Sequence, residues 1–254
     1  MRNGKVASRH IRKFVNQDLG KFVTRRVPII DETMTVAEAE RYGFRSFDRQ
    51  WLPPDARLLN DPRPNIWGAA SPNQVYLTAP MDLSPSSGPS LTATSLVPDL
   101  HHYNGRGGRV FALWKDAAAT QANISAPALA ELAKAFGAPV DPVDVFAYVA
   151  ALLACPAYTT KFKDDLIRPG LRVPLTADAA LFAEAAALGR EVIWLHSFGE
   201  RFTEGKPAGA PRLPESRKPD YPKAGAISTK PEDFPDSIEY DAAAQRLKIG
   251  TLSI

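Results

Sequence analysis

The sequence predicts an α+β fold, with mixed strands in the N-terminal half and a helical layer in the C-terminal half. Up to Trp114, short apolar runs are bounded by Pro, Gly and polar residues, a pattern typical of strands. From Ser125 onwards, longer segments place their apolar residues at helical spacing. The 23 prolines favour many short elements joined by rigid loops.

Composition and cysteine usage indicate a globular protein inside the cell. The chain has 254 residues, of which 44% are hydrophobic and 23% are charged, close to globular averages. Its single cysteine, Cys155, excludes an internal disulfide and a multi-cysteine zinc site and favours a reducing compartment. No apolar run approaches the roughly 18 residues that cross a bilayer, and no signal-peptide core follows the basic N-terminus. We therefore expect a cytoplasmic protein without a membrane partner.

Positive charge is concentrated at the N-terminus. Residues 1–26 hold eight Lys or Arg against one acid, Asp18, which gives +7 and leaves 3 − 7 = −4 for the rest of the chain. Clustered cations favour contact with a polyanion, because they release counterions from a phosphate backbone. The apolar residues between 9 and 22 follow helical spacing, so we interpret 1–26 as a basic helical coupler. A solvated helix end or a linker remnant is the alternative.

The first half of the chain predicts short elements. Strands are predicted where β-branched and aromatic residues cluster, at 26–30, 74–78 and 109–114. We expect 109–114 to be a central strand. A short helix is predicted at 35–42 and an extended segment at 42–55, stopped by its proline pair. The Ser-, Pro- and Gly-rich stretch from 79 to 98 predicts a loop.

Capping residues define the helices of the second half. Ser125 and Gly137 bound one predicted helix, and Asp141 with Pro142 begins the next. A shorter helix follows at 157–167, and a long amphipathic helix begins near Asp178. Residues 204–236 are rich in Pro, Gly and Lys and predict an arm, and residues 237–254 predict an incomplete terminal hairpin. We interpret that hairpin as the end of a fragment from a longer polypeptide.

No catalytic motif is found in the sequence. There is no phosphate-binding loop of the P-loop or dinucleotide type, and the glycines at 105–108 lack a following helix. His101 and His102 are adjacent, so they point apart on a strand and make a poor metal site. Cys155 is interpreted as a small buried hydrophobe and His196 as a capping or core histidine. We therefore predict no catalytic residue, no metal and no cofactor for this segment.

Arginines interleaved with aromatic residues are the first candidate DNA-binding feature. Arg41, Arg45 and Arg49 are spaced by four residues, which places them on one face of an extended strand. Arg57 and Arg63 follow. The guanidinium group binds phosphates and can bind guanine with two hydrogen bonds, so such a row suits DNA. The alternative is a structural network in which these arginines pair with nearby acids, namely Asp48, Asp55 and Asp61.

A second candidate precedes the predicted strand at 109–114. It contains polar side chains that can offer hydrogen bonds to base edges or the sugar-phosphate backbone, namely His101, His102, Tyr103 and Asn104. Arg106 and Arg109 are predicted to hold the backbone, and the intervening glycines to allow close approach. The alternative is a tight turn whose polar side chains satisfy buried backbone groups.

Four blocks of the sequence together resemble the C-terminal specificity region of type ISP restriction–modification enzymes. The blocks are YGFRSFDRQWLPPDARLLNDPRPNIW, VPDLHHYNGRGGRVFALW, DVFAYVAALLACPAYTTKFKDDL and RVPLTADAALFAEAAALGREVIWLH. The resemblance implies that residues 27–203 are a DNA target recognition domain whose partner is double-stranded DNA. It also implies upstream helicase and N6-adenine methyltransferase domains in a parent enzyme that uses S-adenosylmethionine, ATP and magnesium. The methyltransferase tetrapeptide of the Asn/Asp-Pro-Pro-Tyr type is absent here.

Two other functional classes stay open at this point. The helical half can instead be a protein interaction module that docks on the methyltransferase or helicase without contacting DNA. An unrecognised hydrolase is the second alternative, and it would require a deep pocket with converging histidines or carboxylates. DNA binding by the isolated chain discriminates the first alternative.

Overall fold

The structure is a computed structural model, and it describes these residues: 12–15, 22–27, 35–55, 59, 63–81, 85, 87–103, 107–168, 170–212, 230, 232, 235–241, 243–244, 246–250 and 252–253. The chain divides into two compact units, Met1–Pro211 and Arg212–Ile254. The predicted α+β class is confirmed, with strands before residue 113 and the main helices between residues 126 and 196.

The basic N-terminal segment forms strands. Strand β1 (Arg12–Val15) pairs antiparallel with β2 (Phe22–Val27), and the pairing runs from Arg12 opposite Val27 to Val15 opposite Phe22. The helix predicted between 9 and 22 is therefore wrong where the structure describes it. Phe and Val favour strands, and a few apolar residues at helical spacing do not distinguish a helix from a short hairpin.

The arginine-rich segment after it is a hairpin. Strand β3 (Glu40–Arg45) pairs antiparallel with β4 (Asp48–Leu52), with Arg41 opposite Trp51 and a bulge between Gly43 and Arg45. The chain reverses at Phe47, whose φ of 64° is the left-handed conformation. The single extended segment predicted at 42–55 is therefore wrong, and so is the helix predicted at 35–42. Because no Gly or Asn marks this turn, sequence pattern does not reveal the hairpin.

A three-stranded sheet contacts this hairpin. It consists of β5 (Tyr76–Pro80), β6 (Thr92–Thr94) and β7 (Gly108–Ala112), in the order β6-β5-β7 with antiparallel neighbours. Strand β5 is central and fully buried. The strand predicted at 109–114 is present as β7, but it is an edge strand and not a central one. Strand β6 lies inside the stretch predicted to be a loop.

Apart from the first, which the sequence did not predict, the helices of the first unit begin close to the predicted residues. They are α1 (Pro64–Gly68), α2 (Ala126–Phe136), α3 (Pro142–Ala154), α4 (Pro156–Lys161) and α5 (Ala179–His196). The Asp141 carboxylate accepts the Val143 N–H at 2.8 Å, and Gly137 ends α2 with a φ of 70°. The short helix predicted at 157–167 is divided into α4 and a 3-10 turn over Asp165–Ile167.

Helices α3 and α5 cross closely and cover one face of the sheet. A Cβ added to Gly189 of α5 would lie only 1.8 Å from the Ala147 carbonyl oxygen of α3, so glycine permits this contact. Phe182 of α5 stacks on Tyr148 of α3 with ring centroids 5.0 Å apart. The core continues into the sheet through buried residues of both layers, namely Val75, Leu77, Leu91, Ala93, Phe146, Leu153 and Ile193. This layer fixes the sheet on which the hairpin lies.

The second unit contains a small antiparallel sheet. Its strands are β8 (Ile238–Asp241), β9 (Arg246–Ile249) and β10 (Leu252–Ser253), with β9 in the centre. The predicted terminal hairpin therefore gains a third strand. In the first unit, Cys155 between α3 and α4 is exposed, so its prediction as a buried hydrophobe is wrong. Within the described ranges, no helix is long and apolar enough to span a bilayer.

Candidate nucleic-acid interface

Gly43 joins the β3–β4 hairpin to the segment that precedes the histidines. Its N–H donates to the Val97 carbonyl at 3.0 Å, and its carbonyl accepts the Asp99 N–H at 2.8 Å. A side chain at Gly43 would meet the His102 ring, because an added Cβ would lie 3.1 Å from its Cδ2. This close approach brings both sequence-predicted DNA-binding segments into one surface.

Arg45 is engaged by an acid of that segment. Its Nη1 lies 3.1 Å from Asp99 Oδ1, and its guanidinium group lies 3.9 Å from the centre of the Phe44 ring. Asp99 Oδ2 also accepts the Tyr42 hydroxyl at 2.9 Å. Burial, followed by the Asp99 charge, raises the pKa of Tyr42 far above its ordinary value, so the hydroxyl stays a donor. Arg45 therefore stabilises the junction of the hairpin and this segment.

Arg49 is engaged more deeply. Its guanidinium group donates to Glu200 at 2.5 Å and to the Ser197 carbonyl at 2.8 Å, and its side chain is only 13% exposed. The second Glu200 oxygen accepts the Ser95 hydroxyl at 2.5 Å. Although burial opposes the shift, the hydrogen bonds from Ser95 and Arg49 lower the pKa of Glu200. Arg49 thus joins the hairpin to the end of α5.

The predicted row of arginines is therefore not one surface. The turn of the hairpin places Arg45 and Arg49 on different strands, where each has a carboxylate partner. Both residues therefore belong to a structural network of ion pairs, which was the alternative to DNA binding. Their partners are Asp99 and Glu200 and not the acids nearby in sequence. Arg41 differs, because it is exposed and lies 5.5 Å from the centre of the Trp51 ring on the opposite strand.

His102 is a core residue. It is 2% exposed, and its Nδ1 lies 2.8 Å from Thr78 Oγ1, which in turn lies 2.9 Å from Thr92 Oγ1. Its carbonyl accepts the Ser46 N–H at 2.7 Å. Burial lowers the pKa of His102 to about 4, so the ring is neutral at physiological pH. The prediction that this side chain contacts a base edge is incompatible with its burial.

The neighbours of His102 shape a turn. His101 Nδ1 accepts the Gly107 N–H at 2.5 Å, and the Tyr103 hydroxyl donates to the Pro89 carbonyl. Burial raises the pKa of Tyr103. A Cβ at Gly108 would lie 2.8 Å from the Ala79 carbonyl oxygen, so that glycine permits strand pairing. These contacts match the turn interpretation of the segment.

The remaining predicted cations differ in position. Arg109 is exposed on the edge strand β7, and its side chain makes no hydrogen bond or ion pair within the part of the chain that the structure describes. Arg63 precedes α1 and lines an open groove. Arg57, Asn104 and Arg106 lie outside the described residues.

The groove lies between the β3–β4 hairpin, α1, the segment at 97–101 and β7, and it encloses about 600 Å³. Tyr42 and Trp67 stack along it with ring centroids 6.0 Å apart and an interplanar angle of 7°. Trp51 and Phe44 also line it and are 66% and 39% exposed. None of these four aromatic residues was among the site residues predicted from the sequence. No group of three or more metal-ligating side chains occurs in the described ranges.

Comparison with protein-family models shows to which family the chain belongs. The model of the type ISP C-terminal specificity domain matches residues 12–253. The chain belongs to this family.

Two of the solved structures that match are similar in fold to this chain. The cryo-EM structure of a DrdV–DNA complex matches with a TM-score of 0.60 and 21% identity, covering 87% of this chain and 22% of that one. The ATP-dependent type ISP restriction–modification enzyme LlaBIII bound to DNA matches with a TM-score of 0.51 and 12% identity, covering 65% of this chain and 11% of that one. The chain thus spans about a fifth of the DrdV chain and shares the fold of the matched part. No curated protein matches the chain.

Proposed function

We propose that this chain is the DNA target recognition domain of a cytoplasmic type ISP-like restriction–modification enzyme. The family match over residues 12–253 is the observation that carries the proposal. The DNA complexes of DrdV and LlaBIII, which share the fold, support it. N6-adenine methylation, with S-adenosylmethionine, ATP and magnesium, belongs to upstream domains of the parent polypeptide. The domain itself binds duplex DNA and uses no cofactor.

We assign phosphate contacts to the cations that the fold leaves exposed. Arg41 and Arg109 are both exposed, and Arg63 lies at the groove between their strands. Arg45 and Arg49 would have to break their carboxylate pairs to bind a phosphate, so they hold the surface in shape. Arg57, Asn104 and Arg106 stay predicted DNA contacts.

Titration of a labelled duplex at several salt concentrations tests this assignment. In Arg41→Ala and in Arg109→Ala, the plot of log affinity against log salt concentration should become shallower by about one unit of slope. One unit is the contribution of one phosphate contact. Lys134→Ala is the matched control, because Lys134 is exposed on α2 in the helical layer. Absence of duplex binding at low salt would refute the recognition function. An unchanged slope in both variants would refute only the assignment of these arginines.

A second proposed role concerns the helical layer, which we propose docks on the upstream methyltransferase or helicase. Three leucines of α5 spaced by seven residues form one stripe and are about half exposed, namely Leu181, Leu188 and Leu195 at 53%, 55% and 48%. Such a stripe is typical of a helix-packing seam. Hydrogen exchange of α5 should be slower in the full-length polypeptide than in the isolated chain. Equal exchange would contradict docking at this face.

A further inference from the structure

The groove beside the hairpin presents an unusual amount of apolar surface. Trp51 is 66% exposed, and Phe44, Leu100 and Met81 along the same groove are 39%, 40% and 36% exposed. Contiguous exposed apolar surface on a soluble protein marks a binding site. The Tyr42 hydroxyl is fixed on Asp99 at 2.9 Å, so this wall of the groove is held in place.

Charge around the groove favours an anionic occupant. Arg41 lies over the Trp51 ring, and Arg63 lines the groove. The acid in the groove, Asp99, is already matched by the Arg45 guanidinium group at 3.1 Å. Aromatic rings beside cations form the combination that binds single nucleotides of a nucleic-acid strand, by stacking on the base and pairing with the phosphates. A second protein surface would not require these cations.

The size of the groove limits what enters it. Its volume of about 600 Å³ lies within the range of small-molecule sites. A stacked base pair presents only its edges to a groove of this kind, so a ring can stack on Trp51 only after it has left the helical stack. We propose that the groove binds one unstacked nucleobase of the bound DNA against Trp51, with Arg41 at a flanking phosphate. This inference rests on the proposed DNA-binding function.

The consequence is a form of sequence discrimination that uses no base-edge hydrogen bond. Stacking on an aromatic side chain strengthens binding by roughly 5- to 150-fold per base, as judged by alanine substitution. The free-energy cost of unstacking a base is comparable to this gain and opposes it. Flexible pyrimidine–purine steps unstack most readily. Occupancy of the groove therefore depends on the step presented to it.

Three labelled duplexes of one sequence test the proposal. The first is fully paired, the second carries one unpaired base, and the third carries an abasic residue in place of that base. We expect the whole chain to bind the second duplex about tenfold more tightly than the first, and the third no more tightly than the first. With 2-aminopurine as the unpaired base, its fluorescence should be quenched on binding.

Variants locate the effect. Trp51→Ala should abolish both the affinity gain of the second duplex over the first and the quenching, and Trp51→Phe should keep part of each. Phe111→Ala is the matched control, because Phe111 is 44% exposed on β7 but does not line the groove. It should keep the full gain. Because Trp51 is exposed, we expect both of its variants to fold. Their thermal unfolding transitions check this.

Each outcome has a distinct meaning. Equal affinity for all three duplexes, or a gain that survives Trp51→Ala, overturns the groove inference and leaves the proposed function intact. Absence of binding to any duplex overturns both. Self-association that Trp51→Ala abolishes, measured by sedimentation without DNA, would make a second copy the occupant and also overturn the inference.

Discussion

Acidification should destabilise the first unit through His102. Burial lowers the pKa of this histidine from 6.5 to about 4, against a smaller upward effect of Asp99 and a downward effect of Arg45. The unfolded chain therefore binds the proton more readily than the folded chain between these values. Stability that is fully present above pH 6.5 is lost as the pH falls towards 4. From pH 8 to pH 5, the linkage amounts to about 2 kcal/mol in the free energy of unfolding.

Urea unfolding followed by tryptophan fluorescence measures this effect. The four tryptophans lie at positions 51, 67, 114 and 194, so their emission reports on the first unit. The free energy of unfolding is determined at pH 8 and pH 5 for the natural chain and for His102→Gln. Burial also lowers the pKa of His196, so the natural chain carries a second contribution of the same sign. The difference between the two chains in the loss of unfolding free energy is therefore the contribution of His102.

The expected result is a loss on acidification that is about 2 kcal/mol smaller in His102→Gln than in the natural chain. Thr78→Val is the control, because it removes the hydroxyl 2.8 Å from Nδ1 and leaves the ring buried. It should lower stability at both pH values and keep the pH dependence. If His102→Gln shows the same loss as the natural chain, His102 titrates as it does in water and its assignment as a neutral core residue is refuted.

Three further substitutions test the structural assignments by the same unfolding assay. Arg49→Ala should cost about 1–3 kcal/mol, because one Glu200 oxygen and the Ser197 carbonyl lose their donor, and should leave duplex affinity unchanged; normal stability with lost DNA binding would reverse that assignment. Gly189→Ala should cost about 1–3 kcal/mol or more through its clash with the α3 backbone, whereas Gly68→Ala, with open space at its Cβ, should be nearly neutral. Asp178→Ala should cost about 1 kcal/mol by removing the cap of α5, and Asp178→Asn should restore most of it.

The helices were predictable because their determinants are local. Ser125, Asp141 and Asp178 each accept N–H groups from residues two or three positions ahead, so a short window contains the whole interaction. The strand arrangement was not predictable in this way. The turn at Phe47 uses a left-handed bulky residue, and the position of β7 at the sheet edge depends on partners more than 25 residues away.

The same distinction explains the candidate site. Sequence spacing brought the arginines to attention, but their roles depend on carboxylates 54 and 151 residues away. His102 was assigned to the surface because nothing in its neighbourhood reveals that Thr78 and Gly43 close over it. The turn interpretation of this segment, by contrast, was available from its glycines and polar residues alone.

The partner of each arginine separates the cations that hold this surface from those that we infer to bind DNA. A guanidinium group paired with a carboxylate, as in Arg45 and Arg49, loses that pair before it can bind a phosphate, and the abandoned carboxylate would repel the DNA. Among the described residues, the Arg41 guanidinium group contacts a ring face and forms no ion pair, and a ring face leaves its N–H donors available. Because the His102 ring is neutral at physiological pH, it adds no third charge beside the Arg45–Asp99 pair. The paired residues therefore give the hairpin a fixed shape, and the exposed arginines and Trp51 can meet the DNA on it without rearrangement.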